Sequence, residues 1–295
     1  MLQPAVLILL VALAASPVVR TSGTASTTCA LSLTKLRAPG CPVLKRDTAS
    51  RPNPVPLWGS IECARRSRVR RVALAGGRRA GTKGRSRRVR AYRQLTVFDG
   101  DDFYGARCEL GRNSWVEPTF QNYREGQHRV TFISLRLPRS FPLSLARWQT
   151  VIQMKQAEPS GRTSGGPILE VQAYAGRFFL VHDWHNLWST RAVKRRWIRL
   201  ALDVRYSQSA RFGSVTMYLD RNGDGDASDR GERSHTFHVS TLKQEPAGEA
   251  LYGLAPGGSI PSHLRVGIYH DPSYPCPRPV GCSIQIDDVQ VVRAP

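Results

Sequence analysis

Acidic residues are scarce in this chain: 22 Asp and Glu stand against 43 Lys and Arg, a formal net charge of +21 over 295 residues. The deficit is sharpest over residues 65–93, which hold thirteen Lys or Arg and no Asp or Glu. Such a block draws polyanions (nucleic acid, an anionic cell surface or an acidic polysaccharide) because neutralising their closely spaced charges releases counterions. A solvated arginine-rich hairpin has the same composition. Cysteine is limited to six residues, none in the Cys-x-x-Cys spacing of a zinc site. No Gly-x-Ser-x-Gly elbow, phosphate loop or His-Glu-x-x-His occurs, which removes the serine hydrolase, nucleotide and zinc-protease readings. No Glu-x-Asp-x-Glu strand offers the paired carboxylates of glycoside hydrolysis. Internal repeats and long amphipathic helices are also missing, which excludes propellers, solenoids and helical bundles.

What is present points outward from the cell. The apolar run Ala5–Ala15 is short for a membrane span and is followed by small residues, so residues 1–26 read as a secretory signal, the alternative being an uncleaved anchor, and the mature chain as secreted, extracellular and free of the membrane. Export argues against nucleic acid as the native partner. It favours disulfides for the cysteines: Cys276 with Cys282 as a local bridge, and Cys29 with Cys41 and Cys63 with Cys108 as the pairs closing the shortest loops, against a free buried thiol at Cys108. Residues 27–56, rich in Thr, Ser and Pro, read as an irregular lead-in or tether, and residues 57–295 as one domain, expected to be monomeric.

From Leu57 onward, short runs of strand composition recur at about 69–75, 88–98, 104–110, 128–137, 148–155, 168–174, 177–183, 197–206, 214–219, 234–239, 264–270 and 283–292. This spacing predicts an all-β jelly-roll sandwich of two antiparallel sheets. Three runs carry chemistry on one face. In Leu264-Arg-Val-Gly-Ile-Tyr-His270, period two sends Leu264, Val266 and Ile268 inward and Arg265, Gly267 and Tyr269 outward, with the glycine leaving room for something to approach. In Trp148-Gln-Thr-Val-Ile-Gln-Met-Lys-Gln156, Trp148, Ile152 and Met154 are expected inward and Gln149, Gln153 and Lys155 outward. In Tyr104-Gly-Ala-Arg-Cys-Glu-Leu-Gly-Arg112, Cys108 and Leu110 point inward, Arg107 and Glu109 outward, and Gly111 marks a bulge that re-aims Arg112.

Two further motifs each have two readings. Asp220-Arg-Asn-Gly-Asp-Gly-Asp226 places oxygen ligands Asp220, Asn222, Asp224 and Asp226 around glycines, as a structural calcium requires, although Gly231 stands where a bidentate Glu belongs. A hairpin turn has the same make-up. His182-Asp-Trp-His185 lacks a completing ligand and reads as a loop at a sheet border, and Trp184 and Trp188 either stack on sugars or pack in the core.

The segments Arg107–Arg112, Trp148–Gln156 and Leu264–His270, in that order and followed by the closing strand Ile284–Val292, resemble the heparin-lyase-like and alginate-lyase-like polysaccharide lyases over about residues 57–293. The resemblance implies a concanavalin A-like jelly roll and β-elimination on a uronate-containing acidic polysaccharide, with no cofactor required. By position it assigns Arg107 and Gln153 to the uronate carboxylate and Tyr269 to proton delivery, with the base role open to Tyr269 as well. Glu109 would orient Arg107 through a bidentate pair, and Arg265 would stabilise a Tyr269 phenolate. Arg112, His270 and Gln149 complete the substrate-binding set. Lys155 stands where those families carry His, which suits carboxylate neutralisation and leaves a non-catalytic, lectin-like carbohydrate-binding protein as the alternative.

Overall fold

Segments with one apolar face can bury it only against another such face, and here two sheets do so. The computed structural model describes residues 29–74, 91–111, 122–156, 166–245, 255 and 257–295; the expected signal, residues 1–26, lies outside them. The first sheet holds seven strands, β1 (Val43–Asp47), β3 (Val69–Ala73), β4 (Ala91–Val97), β7 (His128–Arg136), β12 (Trp197–Arg205), β13 (Ser214–Asp220) and β17 (Cys282–Arg293). The second holds eight: β2 (Ser60–Cys63), β5 (Arg107–Gly111), β6 (Asn122–Tyr123), β8 (Gln149–Gln156), β9 (Leu169–Tyr174), β10 (Arg177–His182), β11 (His185–Arg191) and β16 (Ser262–His270). A minor ribbon pairs β14 (Lys243–Gln244) with β15 (Ser259–Ile260), and one short helix, α1 (Val55–Trp58), leads into β2. All pairings between these strands are antiparallel, which gives the expected jelly-roll sandwich.

The inner faces supply one core. Leu95, Ile133, Leu135, Leu200 and Ile284 from the first sheet meet Leu110, Ile152, Met154, Val171, Val266 and Ile268 from the second. Each such side chain contributes about 1.5–3 kcal/mol by leaving water. All three cysteine pairs are bridged as expected, Cys29–Cys41, Cys63–Cys108 and Cys276–Cys282.

Residues 29–56 differ from the tether expected over 27–56. Within them β1 pairs with β17, and Leu36 and Cys41 cover Val130, Phe132, Ala201 and Tyr218 on the outer face of the first sheet. Asp47, at the end of β1, accepts hydrogen bonds from Trp58 Nε1 (2.7 Å) and Arg93 Nε (2.8 Å). Burial pushes this carboxyl up, but the arginine outweighs it and holds the group below its usual range. Residues 234–239 form no strand but lie along β13, through the bridge Phe237–Val215 and hydrogen bonds of Ser234 with Met217 and Thr236 with Thr216, while β11 occupies a segment with no strand expectation.

Candidate active site

The outer face of the second sheet gathers the chemistry-bearing residues. Its strand order is β11-β10-β9-β8-β16-β5-β2, so β16 lies between β8 and β5. Pairing of β16 with β5 is regular, Gly267 opposite Glu109 and Tyr269 opposite Arg107, which puts Arg107, Glu109, Arg265 and Tyr269 on one face as expected. The space at Gly267 is filled by protein: a Cβ there would stand 2.3 Å from the Cys108 carbonyl oxygen and 2.6 Å from Glu109 Cα. Gly111 plays a similar part without a bulge, since a Cβ would stand 2.6 Å from Cγ of Arg265, whose stem lies across it.

Pairing of β16 with β8 is irregular. Ile152 faces Val266, but Thr150 faces Tyr269, and the register against β9 also slips between Thr150 and Ile152. Both Val151 and Ile152 therefore enter the core, and the parity of β8 reverses before them. Gln153 and Lys155 stay on the outer face, opposite Arg265 and His263. Trp148 and Gln149 exchange the sides expected for them. Trp148 meets the Tyr269 ring edge-on at 4.8 Å. Gln149 is fully buried and donates to the Pro142 carbonyl oxygen, away from any substrate surface.

These side chains form one charged network. Gln153 donates to Glu109 Oε1 at 2.6 Å, while Glu109 Oε2 lies 3.6 Å from Arg107 Nη1, an ion pair too long to be a hydrogen bond. Glu109 thus joins Arg107 to Gln153 instead of gripping Arg107 in the expected bidentate fork. The Arg107 guanidinium lies 3.9 Å over the Tyr269 ring, Nη2 is held by the Tyr104 carbonyl oxygen, and the buried Nε has no hydrogen-bond partner among the described residues. Arg107, not Arg265, is therefore the cation against Tyr269. Arg265 turns to Glu62 (Nη1 to Oε2, 3.0 Å) and donates from Nε to His263 Nε2 at 3.0 Å.

Three members of the network had no expectation from sequence. Glu62, from the four-residue β2, is pushed up by burial, pulled back by Arg265 and raised again by Glu109. His263 is fully buried, and burial together with Arg265, Lys155 and Lys45 keeps it neutral far below its usual range. Because Arg265 always donates, His263 Nε2 must accept, which leaves the proton on Nδ1, a buried donor without a partner. Glu170 on β9 is pushed up to about 7 by burial despite hydrogen bonds from Gln172 and Thr150.

Other candidates lie elsewhere. His270, expected in the substrate-binding set, is instead buried on the opposite face of β16, with Nδ1 against the Asp271 carbonyl oxygen and Nε2 3.4 Å from Cys276 Sγ. Arg112 lies outside the described residues, as do residues 75–90 of the basic block. In the Asp220 loop, Asp220 takes the N–H groups of Gly223 (2.6 Å) and Gly225 (3.1 Å), Asn222 bonds Asp224 and Asp229, and Asp226 takes Ser228. Among the described residues, no group of three or more His, Cys, Asp or Glu is placed to hold a metal ion. His182 and His185 pair across the β10–β11 turn, with Trp184 exposed at its tip and Trp188 packed against the core.

A family model described as polysaccharide lyase matches residues 76–289. An endo-beta-1,4-glucuronan lyase from the fungus Trichoderma reesei superposes with a TM-score of 0.55 at 12% identity, covering 84% of this chain and 94% of that one. The marine PL-14 alginate lyase from Aplysia kurodai superposes at 0.53 and 9% identity, covering 85% and 99%. At these identities the likeness establishes the shared fold. No curated protein matches the sequence.

Proposed function

Because the chain belongs to the polysaccharide lyase family, we propose that it cleaves a uronate-containing, acidic polysaccharide by β-elimination outside the cell. The observation that carries this reading is the setting of Tyr269. The residue is partly exposed on the outer face, its ring held between the Arg107 guanidinium and the Trp148 edge, beside the Glu109–Gln153 pair. The superposed glucuronan and alginate lyases support a uronate as substrate, and three disulfides support an oxidising compartment. Among the described residues no helix is long and apolar enough to cross a membrane.

Elimination needs the uronate carboxylate neutralised, the C5 proton removed and the O4 leaving group protonated. Arg107, Lys155 and Gln153, on one face of the sheet, supply the first requirement. Glu109 fixes the Gln153 amide and keeps Arg107 in place, acting as a positioning residue. The C5–H bond then breaks toward the Tyr269 oxygen as that oxygen's own proton passes to O4; the C5–H electron pair forms the C4–C5 double bond, the C4–O4 bond breaks, and Tyr269 is again a neutral phenol. The guanidinium 3.9 Å over the ring holds the phenol in place on the outer face. His263 is unsuited to the base role, because it is fully buried and Arg265 occupies its acceptor nitrogen.

The test is a panel of glucuronan, alginate, heparin, hyaluronan and a neutral glucan, followed by the ultraviolet absorbance of the unsaturated uronate. A rise with at least one acidic polymer and none with the glucan is expected. Binding without any rise would replace the reading with the lectin-like one.

A further inference from the structure

At the edge of the second sheet a cavity of about 570 Å³ lies between the end of β11, the segment joining it to β12, and the residues after β13. Its rim carries Arg191, Lys194, Arg196 and Arg221, and its floor Leu143, Ala192 and Val193. Among the described residues, none of the four cations makes an ion pair with a carboxylate. Arg196 and Arg221 spend one N–H each on the carbonyl oxygens of Asn222 and Arg230. Four like charges converging on one hollow repel one another, and burial and Arg139 hold the Lys194 ammonium below its usual range. Such an arrangement favours an anion in the hollow.

The position of the cavity relative to Tyr269 gives it a use. Cross-strand pairs run in line from Tyr269 to Thr150, Gln172, Phe179 and Ser189, that is, from β16 across β8, β9 and β10 to β11. Four strand spacings make this line about 19 Å long. Arg191 is two residues beyond Ser189 on the edge strand, so a chain lying across the strands from Tyr269 leaves the sheet beside the cavity.

We propose that this cavity is a second, non-catalytic subsite for the same acidic polysaccharide, taking uronate carboxylates on its cationic rim and the C–H face of a sugar ring on its apolar floor. The volume lies within the range of small-ligand sites. The lining contains no aromatic ring, which disfavours the base stacking on which single-stranded nucleic acid depends. The identity of the polymer rests on the proposed function; the existence of the subsite does not.

The experiment measures binding of the full chain to a polyuronate by calorimetry, in a Tyr269→Phe background that prevents cleavage. Arg191→Gln/Lys194→Gln is compared with Arg205→Gln/Arg211→Gln, which removes the same charge from exposed positions outside the cavity lining. The proposal expects at least about tenfold weaker binding in the first variant and less than about twofold in the second. Equal losses would reduce the effect to overall charge, and no loss would remove the subsite; either overturns the proposal. A matching loss for a single-stranded oligonucleotide would overturn the assignment to a glycan. With residue 269 as Tyr, the first variant should turn over short oligouronides normally and raise KM only for long polymer. If the wild type forms no unsaturated product at all, the proposed function fails while the binding comparison still decides the subsite.

Discussion

Each candidate side chain acts here through its neighbours. Tyr269 is held by Arg107 and Trp148, and Arg107 in turn by Glu109 and by Glu62 at 3.9 Å. Tyr269→Phe should keep the ring contacts and lose the proton carrier, so turnover is expected to fall by about 10²-fold or more with the melting temperature nearly unchanged. Turnover within a fewfold of wild type would move the chemistry elsewhere. Glu170 supplies an independent check of the electrostatics. Its carboxyl sits at about 7 when folded against an ordinary 4.5, so the unfolded chain loses this proton first as pH rises. Wild-type stability should therefore decline between those two pH values, by an amount on the order of 3 kcal/mol, and stay level in this respect above 7. Glu170→Gln removes the titration, so its stability relative to wild type should climb over the same window in denaturant melts. A constant offset would show that Glu170 ionises normally. Arg107, Gln153 and Tyr269 were legible because alternation holds locally on their strands; His263 was not, because the apolar pattern on β16 starts one residue after it.

At the scale of the element, the decisive feature is the irregularity where β16 and β8 meet. A strict period of two from Trp148 to Gln156 puts Trp148 in the core and Gln149 on the surface, and the slip at Val151 reverses both. Nothing in a run of β-branched and amide side chains marks that residue, since bulges are set by how neighbouring strands meet. Glycine gives the opposite case. Gly267 was legible as a place of close approach, although what approaches is β5 itself. Gly267→Ala should push β5 away and with it Arg107 and Glu109, costing about 1–3 kcal/mol of stability and most of the activity. An alanine variant with wild-type kinetics would mean that the Arg107 to Tyr269 spacing is not critical. Edge strands were the hardest elements to foresee. β2 has four residues and β11 reads His-Asn-Leu-Trp-Ser-Thr-Arg, with a largely exposed, polar surface that leaves little apolar pattern to detect.

The whole molecule is a two-sheet sandwich whose fold class, three disulfides and candidate strands were legible because burial alternation and loop lengths are local properties. Packing of residues 29–56 onto the first sheet was not, because it depends on a distant partner: Asp47 meets Arg93 forty-six positions away. The Cys63–Cys108 bridge ties β2 to β5 under the site, closing a span of 45 residues. Replacing both cysteines by alanine should cost about 4 kcal/mol in the chain-entropy account and loosen Glu62 from Arg265. Unchanged stability in denaturant melts would show that the strands hold each other without the bridge. The central claim, that this cationic sandwich breaks an acidic glycan by elimination, is tested most directly by counting products from the polymer on which the wild type is active. Each new reducing end should appear together with one C4–C5 double bond; reducing ends that form without the matching ultraviolet absorbance would mean hydrolysis and contradict it.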